Sequence, residues 1–184
     1  MPERIGIHLA TGIPKTNWNS DAAPYAAESP SQNGLDVYLS YEGKLAESEI
    51  LATRPADSVV LWKGTDRDEN RLYYGDNLAI LASLLREPSI RGRVRLVYID
   101  PPFATRSVFQ SRAQADAYCD LLSGAHYVEL IRQKLVLLRE LLADDVSIYV
   151  HLDENMAFHI KVIMDEVFGQ RNFSNWITRK KCNP

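Results

Sequence analysis

Four consecutive residues carry the clearest chemistry in the chain: Asp100, Pro101, Pro102 and Phe103, which directly follow the largely apolar run "VRLVYI" at 94–99. The two proline rings fix φ and remove two N–H groups, so the turn is stiff. A residue that precedes proline is pushed out of the helical region, which holds Asp100 extended. A carboxylate, a free prolyl carbonyl and a flat aromatic ring therefore point into one crevice. The two oxygens can each accept an N–H hydrogen bond while the ring stacks, a set that suits a planar group bearing an amino substituent. An acid and prolines after a strand are also ordinary turn chemistry, so the surrounding elements must decide between the two readings.

An exocyclic amine on a nucleobase is a poor nucleophile, because its lone pair is delocalised into the ring. Two acceptors that hold its hydrogens favour a pyramidal nitrogen and free that lone pair. With an activated electrophile, such as a methyl group on a sulfonium, no strong base is required. Catalysis then comes from orientation and from matching the charge that develops in the transition state.

The elements expected to position these residues are strands and helices in alternation. "RVRLVYI" reads as a strand covered on both faces of a parallel sheet, and ligands of such sheets sit beyond the C-terminal strand ends. Upstream, "GDNLAILASLLRE" reads as a helix capped by Asp76 or Asn77, with Leu78, Leu81, Leu84 and Leu85 on one face. Downstream, "HYVELIRQKLVLLRELLADD" places Val128, Ile131, Leu135, Leu138 and Leu142 at helical spacing, with Glu and Arg on the opposite side. "VSIYVHL" is a second buried strand. Asp153 then caps a helix whose apolar face is Met156, Ile160, Ile163 and Val167, and which Gly169 ends. "NFSNWI" starts a further strand. Strand, helix, strand, helix, strand at these lengths predicts α/β architecture with right-handed crossovers. "SVVLW" and "RLYYG" read as short strands around a polar turn. Residues 1–55 read as an irregular N-terminal arm with a short strand at "LDVYLSY", and residues 56–184 as the catalytic-motif domain.

The bulk numbers fit that picture. The 184 residues allow one domain with a real core. A net charge of −3 argues against a wholly basic nucleic-acid binder, though a local basic strip can still do the binding. The two cysteines, Cys119 and Cys182, have no metal-ligand spacing, and no metal is expected. No apolar run approaches the ~20 residues that span a bilayer, and the N-terminus lacks a secretory apolar core. The expected location is the cytoplasm, with no membrane partner.

The pieces "YYGDNLAILASLL", "LVYIDPPF", "YVELIRQKLVLLRELLADDVSIYVHLDENMAFHIKVIMDEVFG" and "RNFSNWI", in this order, resemble the N-terminal half of an amino-group DNA methyltransferase. The arrangement is similar to that of the modification subunits of type III restriction systems, in which the catalytic region precedes the cofactor region. The resemblance implies a Rossmann-like, S-adenosylmethionine-dependent methyltransferase fold, present in part. It implies S-adenosylmethionine as cofactor and double-stranded DNA with a flipped base as substrate. An acid at the first position of the tetrad goes with adenine N6 in this family, so the implied activity is adenine-specific DNA methylation. Asp100 and the Pro101 carbonyl would hold the amine, Pro102 would shape the turn, and Phe103 would stack on the base. Asp76 matches a position near the cofactor, and Asp153 would face the cofactor crevice from its strand end. A second copy of the chain and a restriction subunit are the protein partners compatible with this reading.

Two departures qualify the match. Asp145-Val146 stands where the family often has Asp-Gly; a β-branched residue resists positive φ, so the turn differs or the strand starts earlier. The Phe-x-Gly-x-Gly loop that binds the methionine end of the cofactor is absent from the 184 residues. The chain is therefore expected to be truncated before the target-recognition and cofactor-loop regions, and inactive by itself. The basic group Arg179, Lys180 and Lys181 would contact phosphates, with a solvated tail as the simpler reading. His126 and His151 read as structural, and Asp144, Asp145, Asp153 and Glu154 as a helix end and a cap. The alternative functions are a non-catalytic DNA- or subunit-binding remnant, or a methyltransferase acting on cytosine N4 or on RNA.

Overall fold

The computed structural model describes the backbone of residues 4–10 together with residues 37–61, 70–102 and 124–179. Strand β1 is Arg4–Ala10, helix α1 is Glu47–Leu51, and helix α2 is Asn77–Leu84. Strand β2, Val94–Ile99, leads by way of α3, Ala125–Leu141, to β3, Leu142–Asp153. Helix α4, Ala157–Phe168, and a 3-10 turn, Gln170–Asn172, precede β4, Phe173–Arg179. The fold is mixed α/β, with a parallel strand pair and flanking helices. The sheet order is β2-β3-β1-β4. Strands β2 and β3 are parallel, whereas β1 runs antiparallel to both β3 and β4.

The sheet departs from an all-parallel one because β1 lies between β3 and β4. Its sequence "RIGIHLA" alternates Ile5, Ile7 and Leu9, a period-two pattern, yet the arm as a whole reads as irregular. Residues Val37–Ser40 form no strand, and neither do 58–61 or 71–75. Val60, Leu61, Leu72 and Tyr74 are exposed. Among the described residues these short apolar runs find no ladder, and an unpaired strand leaves its backbone N–H and C=O groups unsatisfied.

The helices follow their caps and apolar stripes. Gly75 adopts φ 148°, which a side chain would oppose, and Asp76 then accepts a 3.1 Å hydrogen bond from the Leu78 amide to open α2. Gly169 ends α4 at φ 89°. On α3, Val128, Ile131, Leu135 and Leu138 are all buried, as is Leu142 at the start of β3. They pack with Val146, Ile148, Val150 and Leu152 of β3 and with Ile160, Ile163 and Val167 of α4. Each such side chain contributes about 1.5–3 kcal/mol by leaving water.

The opposite side of α3 is not the solvated face that its charges suggest. Glu129, Arg132, Arg139 and Glu140 are buried. Arg132 donates to the Leu45 carbonyl at 3.0 Å and to Glu166 of α4 at 3.2 Å. Tyr41 donates to Glu129 at 2.5 Å, Lys44 binds Glu166 at 2.7 Å, and Arg139 pairs with Glu47. Residues 41–47 thus cover α3 and supply its charges with partners. Burial and the Glu129 carboxylate hold the Tyr41 phenol protonated well above its usual range.

Strand β3 begins at Leu142, directly after α3, rather than at Val146. The extended Val146 is compatible with that earlier start. Between Val94 and Leu96 of β2, which pair with Leu142 and Ser147, the register shifts. Asp144 and Asp145 are exposed at this irregularity. Strand β2 is an edge strand in this sheet, and Leu96 and Tyr98 are exposed rather than covered.

Removing one partner of a buried ion network leaves the other charges uncompensated. Arg132→Ala should therefore lower unfolding free energy by about 3–5 kcal/mol, as read by urea denaturation. A loss below about 1 kcal/mol, the range of exposed pairs, would show that the network is solvated.

Candidate active site

The parallel register sets the site. Ile99 pairs with Val150, so the next residues, Asp100 and His151, stand side by side at the C-terminal ends of β2 and β3. His151 Nδ1 lies 3.1 Å from Asp100 Oδ1, an ion pair when the imidazole is protonated. The Asp100 side chain is 52% exposed and that of His151 17%. The acid therefore has one oxygen against a largely covered ring and still opens to solvent. Pro101 and Pro102 continue the chain, and Pro102 is exposed. Phe103 lies outside the described residues.

Alternation along β3 separates two functions. Val146, Ile148, Val150 and Leu152 enter the core, while Tyr149 and His151 are half-buried on the other face. Leu96, Tyr98 and Asp100 occupy the matching face of β2, because Tyr98 pairs with Tyr149. The sheet thus offers a partly open surface that ends in a carboxylate.

The remaining candidates are spread around this end. Asp153 is 2% exposed, and both its oxygens are engaged: Oδ1 accepts from the Met156 amide at 3.3 Å and Oδ2 from Asn155 at 3.2 Å. It shapes the turn into α4, although the helix itself begins at Ala157. Burial first, and the Asp153 charge second, raise the Tyr127 phenol far above its usual range, which puts the first turn of α3 near that carboxylate. Asp76 caps α2 and is exposed. Burial lowers the Lys134 ammonium, and the Asp76 charge opposes that shift. Asp76 and Asp153 are thus carried by different elements, each paired electrostatically with α3.

Arg179 ends β4 opposite Arg4, and Arg4 in turn faces Asp153. Arg179 is exposed, two strand spacings (about 10 Å) from β3, at the same end of the sheet. Lys180 and Lys181 lie outside the described residues. Arg91 pairs with Glu140 at 3.6 Å, away from this end. Among the described residues there is no cluster of three or more metal-ligating side chains, and no helix is long and apolar enough to cross a membrane.

Comparison with known proteins shows the family to which this region belongs. Residues 94–184, which include β2, its acidic corner, α3, β3, α4 and β4, match a family model described as DNA methylase. The chain belongs to the N6/N4 DNA methylase family. It is 40% identical over 157 residues to the type II methyltransferase M.EcaI of Enterobacter cloacae, a match covering 82% of this chain and 34% of that protein. It is 33% identical over 112 residues to the probable type III restriction-modification enzyme HindVI Mod subunit of Haemophilus influenzae, covering 61% of this chain and 14% of that subunit. The EcoP15I Mod subunit of Escherichia coli is 26% identical over 165 residues, covering 73% of this chain and 25% of that subunit. The chain thus spans about a third or less of these relatives. No solved structure matches. DNA methylases of this family use S-adenosylmethionine.

His151 is the residue that its sequence context marks as structural. Only the β2–β3 register reveals it beside Asp100. Asp153, by contrast, spends its oxygens on the chain itself. Asp153→Ala should cost about 0.5–2 kcal/mol of stability, the range of a lost helix-entry cap, in thermal or urea unfolding. An unchanged stability would mean that the carboxylate is held for a ligand instead.

Proposed function

We propose that this chain is the catalytic-motif part of a DNA methyltransferase that transfers a methyl group from S-adenosylmethionine to adenine N6 in double-stranded DNA. The observation that carries the proposal is the acid of the Asp100-Pro101-Pro102 corner at the open C-terminal end of β2, inside the region matched to DNA methylases. Relatives described as Mod subunits of type III restriction-modification enzymes support a place in such a system. A restriction subunit and a second copy of the chain are the proposed protein partners, acting in the cytoplasm.

The target adenine leaves the duplex at a cost of a few kcal/mol, offset by stacking and hydrogen bonds in the pocket. The Asp100 carboxylate and the Pro101 carbonyl each accept one hydrogen of the N6 amine, Pro102 fixes the turn, and Phe103 stacks on the base. Holding both hydrogens directs the nitrogen lone pair outward. As nitrogen gains positive charge in the transition state, the Asp100 carboxylate stabilises it. When bound, S-adenosylmethionine would supply a methyl group already activated on a positively charged sulfur, so that the carbon–sulfur bond breaks as the carbon–nitrogen bond forms, the neutral thioether leaves, and the methylated nitrogen gives up one proton past the exposed Asp100 carboxylate to water. The exposed carboxylate of Asp76 fits the hydroxyl and ammonium donors of such a cofactor, and Asp153 serves that side by holding the turn at 153–156. Arg179, Lys180 and Lys181 meet backbone phosphates.

The test is methyl transfer from labelled cofactor to DNA by the full-length protein, with digestion of the product to nucleosides. N6-methyladenine is expected, and Asp100→Ala should lower kcat by roughly 10²–10³-fold, the usual loss for one stabilising group. N4-methylcytosine as product, or an Asp100→Ala rate within about threefold of the parent, would overturn the proposal.

A further inference from the structure

We propose that His151 is a positioning residue for the methyl-transfer reaction: it binds one oxygen of Asp100 through Nδ1 and so aims the other oxygen at the target amine. The inference rests on the proposed role of Asp100. It starts from the 3.1 Å separation of His151 Nδ1 and Asp100 Oδ1, an ion-pair distance at which the two atoms are not yet aligned as a hydrogen bond, so that a small rotation of the exposed acid would complete one when the site is filled.

A carboxylate on an exposed strand end has two soft torsions and rotates among several orientations. Pro101 stiffens the backbone of Asp100 but does not touch its χ angles. A fixed donor against one oxygen removes that freedom. His151 can act as such a donor because it belongs to a different element, the interior of the sheet, with Val150 and Leu152 on either side fully buried. Its ring is mostly covered, whereas Asp100 is half exposed. The better-held group therefore sets the orientation of the looser one. The nearest positions on the same face, the exposed Tyr98 and the half-buried Tyr149, pair with each other two residues back from Asp100 and His151.

The arrangement also divides labour between the two carboxylate oxygens. Oδ1 faces the imidazole, which leaves Oδ2 for an N–H of the base. The two residues would thus act as a unit, and the contribution of His151 should vanish when Asp100 cannot use it.

The experiment compares three variants of the full-length protein in the methylation assay, with folding monitored by thermal unfolding. His151→Phe keeps a flat ring in the sheet and removes both nitrogens. His151→Asn keeps a short side chain whose amide N–H can replace Nδ1. Asp100→Asn supplies the background for a double variant. His151→Phe is expected to lower kcat roughly tenfold to a hundredfold, as loss of an orienting partner commonly does, with KM for DNA and cofactor within about twofold. His151→Asn should restore kcat to within a few-fold of the parent. In the Asp100→Asn background, His151→Phe should have little further effect, since residues acting as a unit are non-additive.

A folded His151→Phe protein with parental kcat, alongside an Asp100→Ala protein that is inactive, would overturn the role of His151 and leave that of Asp100 standing. Equal kcat losses in His151→Phe and His151→Asn would also overturn it, because ring packing rather than the Nδ1 donor would then matter. Should His151→Phe fail to fold, the Asn variant decides: parental kcat supports the role, and a hundredfold loss in a folded protein contradicts it. An active Asp100→Ala protein would instead remove the reading on which the inference depends.

Discussion

The parallel pairing of β2 with β3 is the constraint on which the site depends, and helix α3 enforces it. Parallel neighbours need a crossover between them, and α3 passes directly into β3 at Leu142. That junction leaves little freedom in where β3 begins. The register shift between Val94 and Leu96 absorbs the residues around Asp144 and Asp145, after which Val97, Tyr98 and Ile99 pair in step with Ile148, Tyr149 and Val150. In-step pairing over those three positions is what brings Asp100 to His151. A slip of one residue would move His151 to the buried face and leave the acid beside Leu152.

The core that holds this register is unusually rich in charge on one side. The apolar stripe of α3 meets β3 and α4, while its buried Glu129, Arg132, Arg139 and Glu140 meet the segment at 41–47 and Glu166. Such groups are tolerated inside only when paired. The segment that pairs them is therefore part of the folded unit rather than an appendage. Strand β1 plays a comparable part on the far side of β3, where it closes the ladder that β3 would otherwise expose.

Local patterns made much of this legible in the sequence. Leu135 and Leu138 recur at helical spacing and are buried; Asp76 caps α2; Gly169 ends α4 at positive φ. The acidic corner was placed at a strand end by the apolar run before it. The features that escaped are non-local. Nothing near Arg132 in sequence announces Glu166 or the Leu45 carbonyl as partners. Nothing in "RIGIHLA" says that it will lie between β3 and β4. The runs at 58–61 and 71–75 have the composition of strands, but among the described residues no neighbour pairs with them. His151 looks structural in "IYVHLD" because its importance arises from the strand beside it, and register is a property of two strands at once.

Across the sheet end lie the acid of β2, the imidazole and buried acid of β3, and the exposed Arg179 of β4. In the proposed reading, that order would hold the base and the backbone of one nucleotide together. The most direct measurement is a structure of the full-length protein with DNA and a non-reactive cofactor analogue. The account predicts an everted adenine with N6 about 3 Å from the Asp100 carboxylate and His151 still against the other oxygen. A target amine bound elsewhere, with Asp100 turned to solvent, would contradict it.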